Sequence, residues 1–149
     1  MCNKEYVMSL LDWNNTEELQ NKGVQLAIEM NQISCFIQPM DPQYNKNVWG
    51  NCAKIVSVKT DEELKPYMIS LFEWLQDMNW PGAEIIYDRL IHVEAKLILN
   101  DFLYCLRTAI QIEDVTWIYS LKGFAIEKGL IDMLPTTEKL YLEGVHNRN

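Results

Sequence analysis

Hydrophobic side chains recur at steps of three and four residues along most of the chain, which is the spacing of α-helices that bury one face. No segment shows the sustained alternation of polar and apolar residues that is typical of a β-strand. The longest stripe predicts a helix from about Pro66 to Asp77 and, with the rest of the chain, an all-α fold. Its members are Leu64, Tyr67, Met68, Leu71, Phe72, Leu75 and Met78.

Polar residues predict where this helix begins. Thr60-Asp61-Glu62-Glu63 matches a capping box, in which the Thr60 hydroxyl accepts a hydrogen bond from the Glu63 amide and the Glu63 carboxylate accepts one from the Thr60 amide. Pro66 lacks an amide hydrogen, so we expect a short turn after Thr60 and then a helix with Pro66 in its first turn.

The sequence Asn79-Trp80-Pro81-Gly82 predicts the end of the helix, because the residue before a proline is pushed out of helical geometry. We expect Asn79 to cap the next helix. That helix continues to about His92, so residues 62–92 predict a helical hairpin. Its stripe is Ala83, Ile86, Tyr87, Leu90 and Ile91.

Further stripes predict helices over Leu19–Met30, Trp49–Val56, Ala95–Ile110 and Val115–Ala125. A last short helix is expected after Pro135, with Thr136 or Thr137 as its cap. The longest loop is expected at residues 38–46, which contain two prolines and several turn-forming residues.

Four of the five tryptophans are spaced by roughly 30 to 40 residues, similar to the length of one helical pair in a solenoid. They are Trp13, Trp49, Trp80 and Trp117, each with an Asp or Asn one to three residues before it. We interpret them as one structural position that recurs, with each indole packed between adjacent hairpins. The pattern predicts a HEAT/armadillo-like stack of antiparallel helical hairpins (an α-α superhelix).

A single domain is expected over residues 1–149, because no linker divides it. Within it we expect N-terminal helices and a loop at 1–45, a hairpin core at 46–92 and C-terminal helices at 93–145. The apolar content of 48% is that of a folded globular protein rather than a disordered one.

Charge and cysteine content narrow the classes of partner and cofactor. The net charge of −8 argues against nucleic-acid binding, which depends on clustered Lys and Arg, and is compatible with a basic protein partner or simply with solubility. No apolar run is long enough for a membrane, and no secretory signal is evident. The four cysteines are widely separated, so we expect no zinc site, and three of them sit among apolar neighbours, as free cysteines do in a reducing cytoplasm. No cofactor is expected.

The densest polar and aromatic segment runs from Trp74 to Pro81. It is a recognition surface, a segment that holds a catalytic Asp77, or a structural corner in which Asp77 and Asn79 satisfy backbone groups at helix ends. The carboxylate pairs Glu73/Asp77 and Glu84/Asp88 are each four residues apart, which predicts one helix face for each pair. Such pairs are a solvated face, a negative patch for a basic partner, or acid–base or metal-binding groups. The chain contains no nucleophile elbow, glycine-rich phosphate loop or zinc-protease motif.

Residues 49–90 resemble a bacterial family known only as domain of unknown function 5071. The likeness is carried by Asn51-Cys52-Ala53-Lys54, by Asp61-Glu62-Glu63-Leu64 and above all by Phe72-Glu73-Trp74-Leu75-Gln76-Asp77-Met78-Asn79-Trp80-Pro81. Pro135-Thr136-Thr137-Glu138 resembles the closing segment of that family, whereas Glu113–Tyr119 echoes it only loosely. The resemblance implies a HEAT-like helical fold and brings no established activity or catalytic residue.

The sequence therefore favours a cytoplasmic protein that acts by binding another protein, in its most concrete form an immunity-type protein that neutralises a basic toxin. No catalytic residue or metal ligand is assigned. A small ligand-binding domain or enzyme with an acidic groove around Glu73 and Asp77 is the alternative, and a homo-oligomeric structural protein is the third. The candidate binding residues are Glu73, Trp74, Asp77, Asn79, Trp80, Glu84 and Asp88.

Overall fold

A computed structural model describes residues 3–40 and 43–145, and within these ranges the regular structure is entirely helical. Short 3₁₀ segments lie at Ser34–Phe36, Lys46–Val48, Lys65–Tyr67, Trp74–Gln76 and Ile131–Met133. The α-helices are α1 Lys4–Leu10, α2 Glu17–Ile28, α3 Trp49–Ser57, α4 Asp61–Leu64, α5 Met68–Glu73, α6 Ala83–Ile91, α7 Ala95–Gln111, α8 Val115–Lys128 and α9 Thr136–Glu143. The all-α prediction is confirmed.

The capping box at the start of α4 is confirmed. The Glu63 amide donates to Thr60 Oγ1 at 3.1 Å, and the Thr60 amide donates to Glu63 Oε1 at 3.1 Å. Pro66 lies in the 3₁₀ segment that joins α4 to α5, where its missing amide hydrogen leaves no gap in a long helix. The predicted helix from Pro66 to Asp77 is thus a short α-helix with a 3₁₀ segment at each end.

Two predicted caps are wrong. The residue before α6 is Gly82, with φ of 84° and no side-chain cap, rather than Asn79. The residue before α9 is Pro135, and neither Thr136 nor Thr137 caps that helix. In both cases the chain turns next to a proline, whose fixed φ and missing amide hydrogen shift the helix start away from the nearest polar side chain.

The hydrophobic core is formed by the predicted stripes. Phe72 of α5, Phe102 of α7 and Phe124 of α8 meet with ring centroids 5.2 to 5.9 Å apart. Helix α3 contacts α6, α6 contacts α8, and α5 contacts α7. At the N-terminal side, α1 contacts α2 and α2 contacts α3. The longest stripe therefore lies at the centre, and its members Leu64, Met68, Leu71, Phe72 and Leu75 are all fully buried.

The interpretation of four equivalent tryptophans is wrong. Trp13 is 53% exposed, whereas Trp49 is fully buried. Trp49 and Trp80 pack against each other, with ring centroids 5.5 Å apart, so they do not separate two different layers. Trp117 is buried elsewhere, where its indole nitrogen donates to the backbone oxygen of Phe72 at 3.1 Å. The four tryptophans are evenly spaced in the sequence but lie in different environments in the fold.

Candidate functional site

Three indoles form a cluster where α3 meets the turn between α5 and α6. Trp49 lies edge-on to both Trp74 and Trp80, at centroid distances of 6.2 and 5.5 Å. Lys46 Nζ lies 5.7 Å from the ring centroids of Trp49 and Trp80, within the range of a cation–π interaction. Trp74 is fully buried and its indole nitrogen donates to the Pro81 oxygen at 3.0 Å. Trp74 therefore supports the turn and offers no surface to a partner, which corrects its place among the candidate binding residues.

The turn itself is held by backbone and carboxylate contacts. Asp77 Oδ1 accepts from the Asn79 amide at 2.8 Å, and the Asp77 backbone oxygen accepts from the Trp80 amide at 3.0 Å. Asp77 has extended backbone angles, φ −140° and ψ 107°, because the helix has already ended. Glu73 and Asp77 consequently do not share a helix face, contrary to the prediction from their spacing.

A surface cavity of about 350 Å³, the Trp80 cavity, opens beside this turn. It brings together three predicted binding residues, Asn79, Trp80 and Glu84. Glu84 and Asp88 are both exposed on α6, one turn apart, as their spacing predicted. The full lining is Met78, Asn79, Trp80, Gly82, Glu84 and Ile85.

Glu73 lies in a different place, the Glu73 cavity. This cavity has a volume of about 260 Å³ and its described lining is Pro39, Met40, Ser70 and Glu73. Burial raises the pKa of the Glu73 carboxyl above its usual value. A carboxyl with a raised pKa in a cavity is the arrangement expected of a proton donor or acceptor.

We expect the Glu73→Gln variant to be more stable than the parent protein, by a margin that grows as the pH is raised. The native-state pKa of Glu73 is raised, so the favourable protonated form is present at low pH and is lost as the pH rises through that pKa. Glutamine has no charge to bury. The difference in free energy of unfolding between variant and parent, measured by urea unfolding, should therefore grow from pH 4 to pH 8. Glu62→Gln, at an exposed position of α4, controls for loss of one surface charge; an equal gain there would contradict the prediction.

A third cavity was not predicted from the sequence. It is a groove of about 640 Å³ between α7 and α9, here called the α7–α9 groove. Thr136, Thr137 and Glu138, singled out above for the family resemblance, contribute to it, and Leu140 and Tyr141 of α9 remain 61% and 41% exposed. The lining is Arg107, Ile110, Gln111, Thr136, Thr137, Glu138, Leu140 and Tyr141.

The described residues form no cluster of metal ligands, and their cysteines are free thiols. Across 3–40 and 43–145, no three His, Cys, Asp or Glu side chains gather as metal ligands. Cys35, Cys52 and Cys105 are free, buried thiols. Burial raises the pKa of Cys35 and Cys52, and that of Cys105 to about 12, so these thiols are protonated and unreactive near neutral pH. None of the helices in the described ranges has the length and apolarity of a membrane span.

Comparison with known proteins gives a family but no activity. No curated protein and no solved structure matches the chain significantly. The family model described as Domain of unknown function (DUF5071) matches residues 50–140, which include Trp74 and Trp80 of the indole cluster, the lining of the Trp80 cavity and Glu73. This match covers more than half of the chain. The protein therefore belongs to the DUF5071 family.

Proposed function

We propose that this protein binds another protein through the Trp80 cavity and the acidic face of α6, and that it works in the cytoplasm as an immunity-type neutraliser of a basic toxin. The supporting observation is that one cavity gathers Asn79, Trp80 and Glu84, three residues proposed from the sequence for binding. Asp88 extends the same exposed face by one helical turn.

The cavity suits the side chain of an arginine or lysine. Met78 and Ile85 offer apolar contact for the aliphatic stem, and Glu84 offers a carboxylate for the cationic group. The Trp80 ring already has Lys46 beside it, so the incoming cation pairs with Glu84 rather than with the ring. The net charge of −8 would accelerate capture of a basic partner, and added salt would slow it.

The contacts between helices support a HEAT-like stack as the scaffold for this surface. Helices α3, α6 and α8 contact one another in succession, α5 contacts α7, and α7 contacts α8. Two layers of this kind arise when the hairpins α5–α6 and α7–α8 lie side by side, as in solenoids. We propose that α6 belongs to one layer and presents Glu84 and Asp88 on its outer side.

The double variant Glu84→Lys/Asp88→Lys should lose the partner. Affinity purification from the native host is expected to recover one protein in stoichiometric amount with the parent chain and at least tenfold less with the double variant. Both side chains are exposed, so the fold should survive the change.

Glu29→Lys/Glu143→Lys is the matched control, because it changes the net charge equally at two exposed positions at helix ends, away from the Trp80 cavity lining. It should retain the partner. Failure to recover a stoichiometric protein under several growth conditions, or equal loss with both double variants, would count against the proposal.

A second candidate function is binding or turnover of a small molecule at the Glu73 cavity, supported by the raised pKa of the Glu73 carboxyl in a cavity that Ser70 also lines. Asp77, proposed from the sequence as part of the same acidic groove, does not belong to the described lining. Glu73→Gln should abolish such an activity while leaving recovery of a protein partner unchanged. Loss of the partner with Glu73→Gln would instead show that the Glu73 cavity and the protein-binding surface are not separate sites.

A further inference from the structure

The α7–α9 groove has the size and lining of a small-molecule site. Its volume of about 640 Å³ falls within the roughly 300–1,000 Å³ that is usual for such sites. Ile110, Leu140 and Tyr141 give it an apolar wall. Leu140 is 61% exposed, and covering an apolar side chain with a ligand lowers the free energy because it removes apolar surface from water.

One charged group in this groove is incompletely paired. Glu138 is 7% exposed and its Oε1 accepts from Arg107 Nε at 2.5 Å. Its other carboxylate oxygen, Oε2, is buried and has no hydrogen-bond partner among the residues that the structure describes. Buried polar atoms are nearly always hydrogen-bonded in folded proteins, so an unpaired one indicates that a donor is supplied from elsewhere.

Arg107 completes the polar part of the groove. Its side chain is 58% exposed, and only Nε takes part in a hydrogen bond within the described part of the chain. The terminal nitrogens of a guanidinium are donors, so they remain for an acceptor on a ligand. Because Arg107 and Glu138 neutralise each other, the groove favours neither a cation nor an anion. A neutral hydroxyl satisfies both, since it donates one hydrogen bond and accepts others.

We infer that the α7–α9 groove binds a small neutral molecule with an apolar body and a hydroxyl head, such as a phenol. The hydroxyl donates to Glu138 Oε2 and accepts from a terminal nitrogen of Arg107, while the body covers Ile110, Leu140 and Tyr141. Because Oε2 is buried, we infer that side chains lining the groove rotate to admit the hydroxyl; rotamer changes of exposed side chains such as Arg107 and Thr137 take picoseconds to nanoseconds. This site is separate from the Trp80 cavity and does not depend on the proposed protein partner.

The test compares four ligands that differ only in the head group: 4-butylphenol, butylbenzene, 4-butylbenzoate and 4-butylbenzylamine. Each is titrated into the full chain while backbone amide shifts are followed by NMR. We expect 4-butylphenol to bind at least tenfold more tightly than the other three, with shifts concentrated on α7 and α9. Equal affinity for all four, or no binding up to the solubility limit, would overturn the inference.

Two variants locate the site. Glu138→Gln keeps the shape of the side chain, and when its carbonyl oxygen accepts from Arg107 its amide nitrogen occupies the place of Oε2 and offers no acceptor. We expect the Kd of 4-butylphenol to rise at least tenfold. Leu140→Lys, at an exposed position, should weaken binding of both phenol and butylbenzene and decides the matter if Glu138→Gln does not fold.

Leu19→Lys, at an exposed leucine of α2 that is 40% accessible, is the control and should leave the Kd unchanged. An unchanged Kd in Leu140→Lys, or equal weakening in Leu19→Lys, would show that the phenol binds outside the groove.

Discussion

Gly82→Ala is expected to lower the free energy of unfolding by about 4 kcal/mol. Gly82 has φ of 84°, a left-handed conformation that costs other residues roughly 1–3 kcal/mol. A Cβ atom there would lie 2.6 Å from the Ala53 Cβ and 2.9 Å from the Trp49 backbone oxygen. Relief of such overpacking costs roughly another 1–3 kcal/mol, because the neighbours are a helix backbone and a buried methyl group. Urea unfolding followed by circular dichroism at 25 °C measures the loss.

Gly129→Ala separates the two causes. Gly129 has a similar φ of 78°, but a Cβ atom there would meet nothing within 4 Å. Only the conformational cost remains, so we expect a loss of about 1 kcal/mol. Gly50→Ala, inside α3 and also in open space, should raise stability by about 0.5–1 kcal/mol. A loss in Gly82→Ala no larger than that in Gly129→Ala would show that the turn can move away from α3.

The helices and their buried faces could be predicted because they depend on local spacing. The stripe through Leu64, Met68 and Leu71 needed only steps of three and four, and all three side chains are fully buried. The capping box at Thr60 and Glu63 needed only four adjacent residues. Neither prediction required knowledge of what packs against α5, which is why both survive in the folded protein.

The turn at residues 77–82 could not be predicted in detail because distant residues decide it. Trp74 turns its indole back to the Pro81 oxygen, and Gly82 approaches the Trp49 oxygen on α3. These contacts end the helix after Gln76 and move the start of α6 to Ala83. Asn79, two residues before Pro81, suggested a cap, but the close approach to α3 requires a glycine at position 82 instead.

The same distinction applies to the candidate sites. Asn79, Trp80 and Glu84 lie within six residues of sequence, so a local motif sufficed to propose them together. Arg107 and Glu138 lie on α7 and α9, and no periodicity links them. The α7–α9 groove exists only because the last helix packs beside α7, so its polar pair becomes visible only in the folded chain.

Trp74→Ala is expected to cost about 4 kcal/mol, whereas Trp13→Ala should change stability by less than about 0.5 kcal/mol. Trp74 is fully buried, and truncation of a buried indole typically costs roughly 3–5 kcal/mol. Trp13 is 53% exposed and lies in the segment between α1 and α2. Substitutions at such exposed positions usually fall within about 0.5 kcal/mol.

Trp74→Phe distinguishes the two contributions of Trp74 to stability, its apolar contacts and its indole hydrogen bond. Phenylalanine retains most of the apolar contact with Trp49 but leaves the Pro81 oxygen without its indole donor. We expect a loss of about 1–3 kcal/mol, the cost of leaving this partly buried acceptor unpaired. Unfolding is followed by far-ultraviolet circular dichroism, because each substitution removes a fluorophore. Similar losses in Trp74→Ala and Trp13→Ala would contradict the prediction and mean that Trp13 is buried in solution.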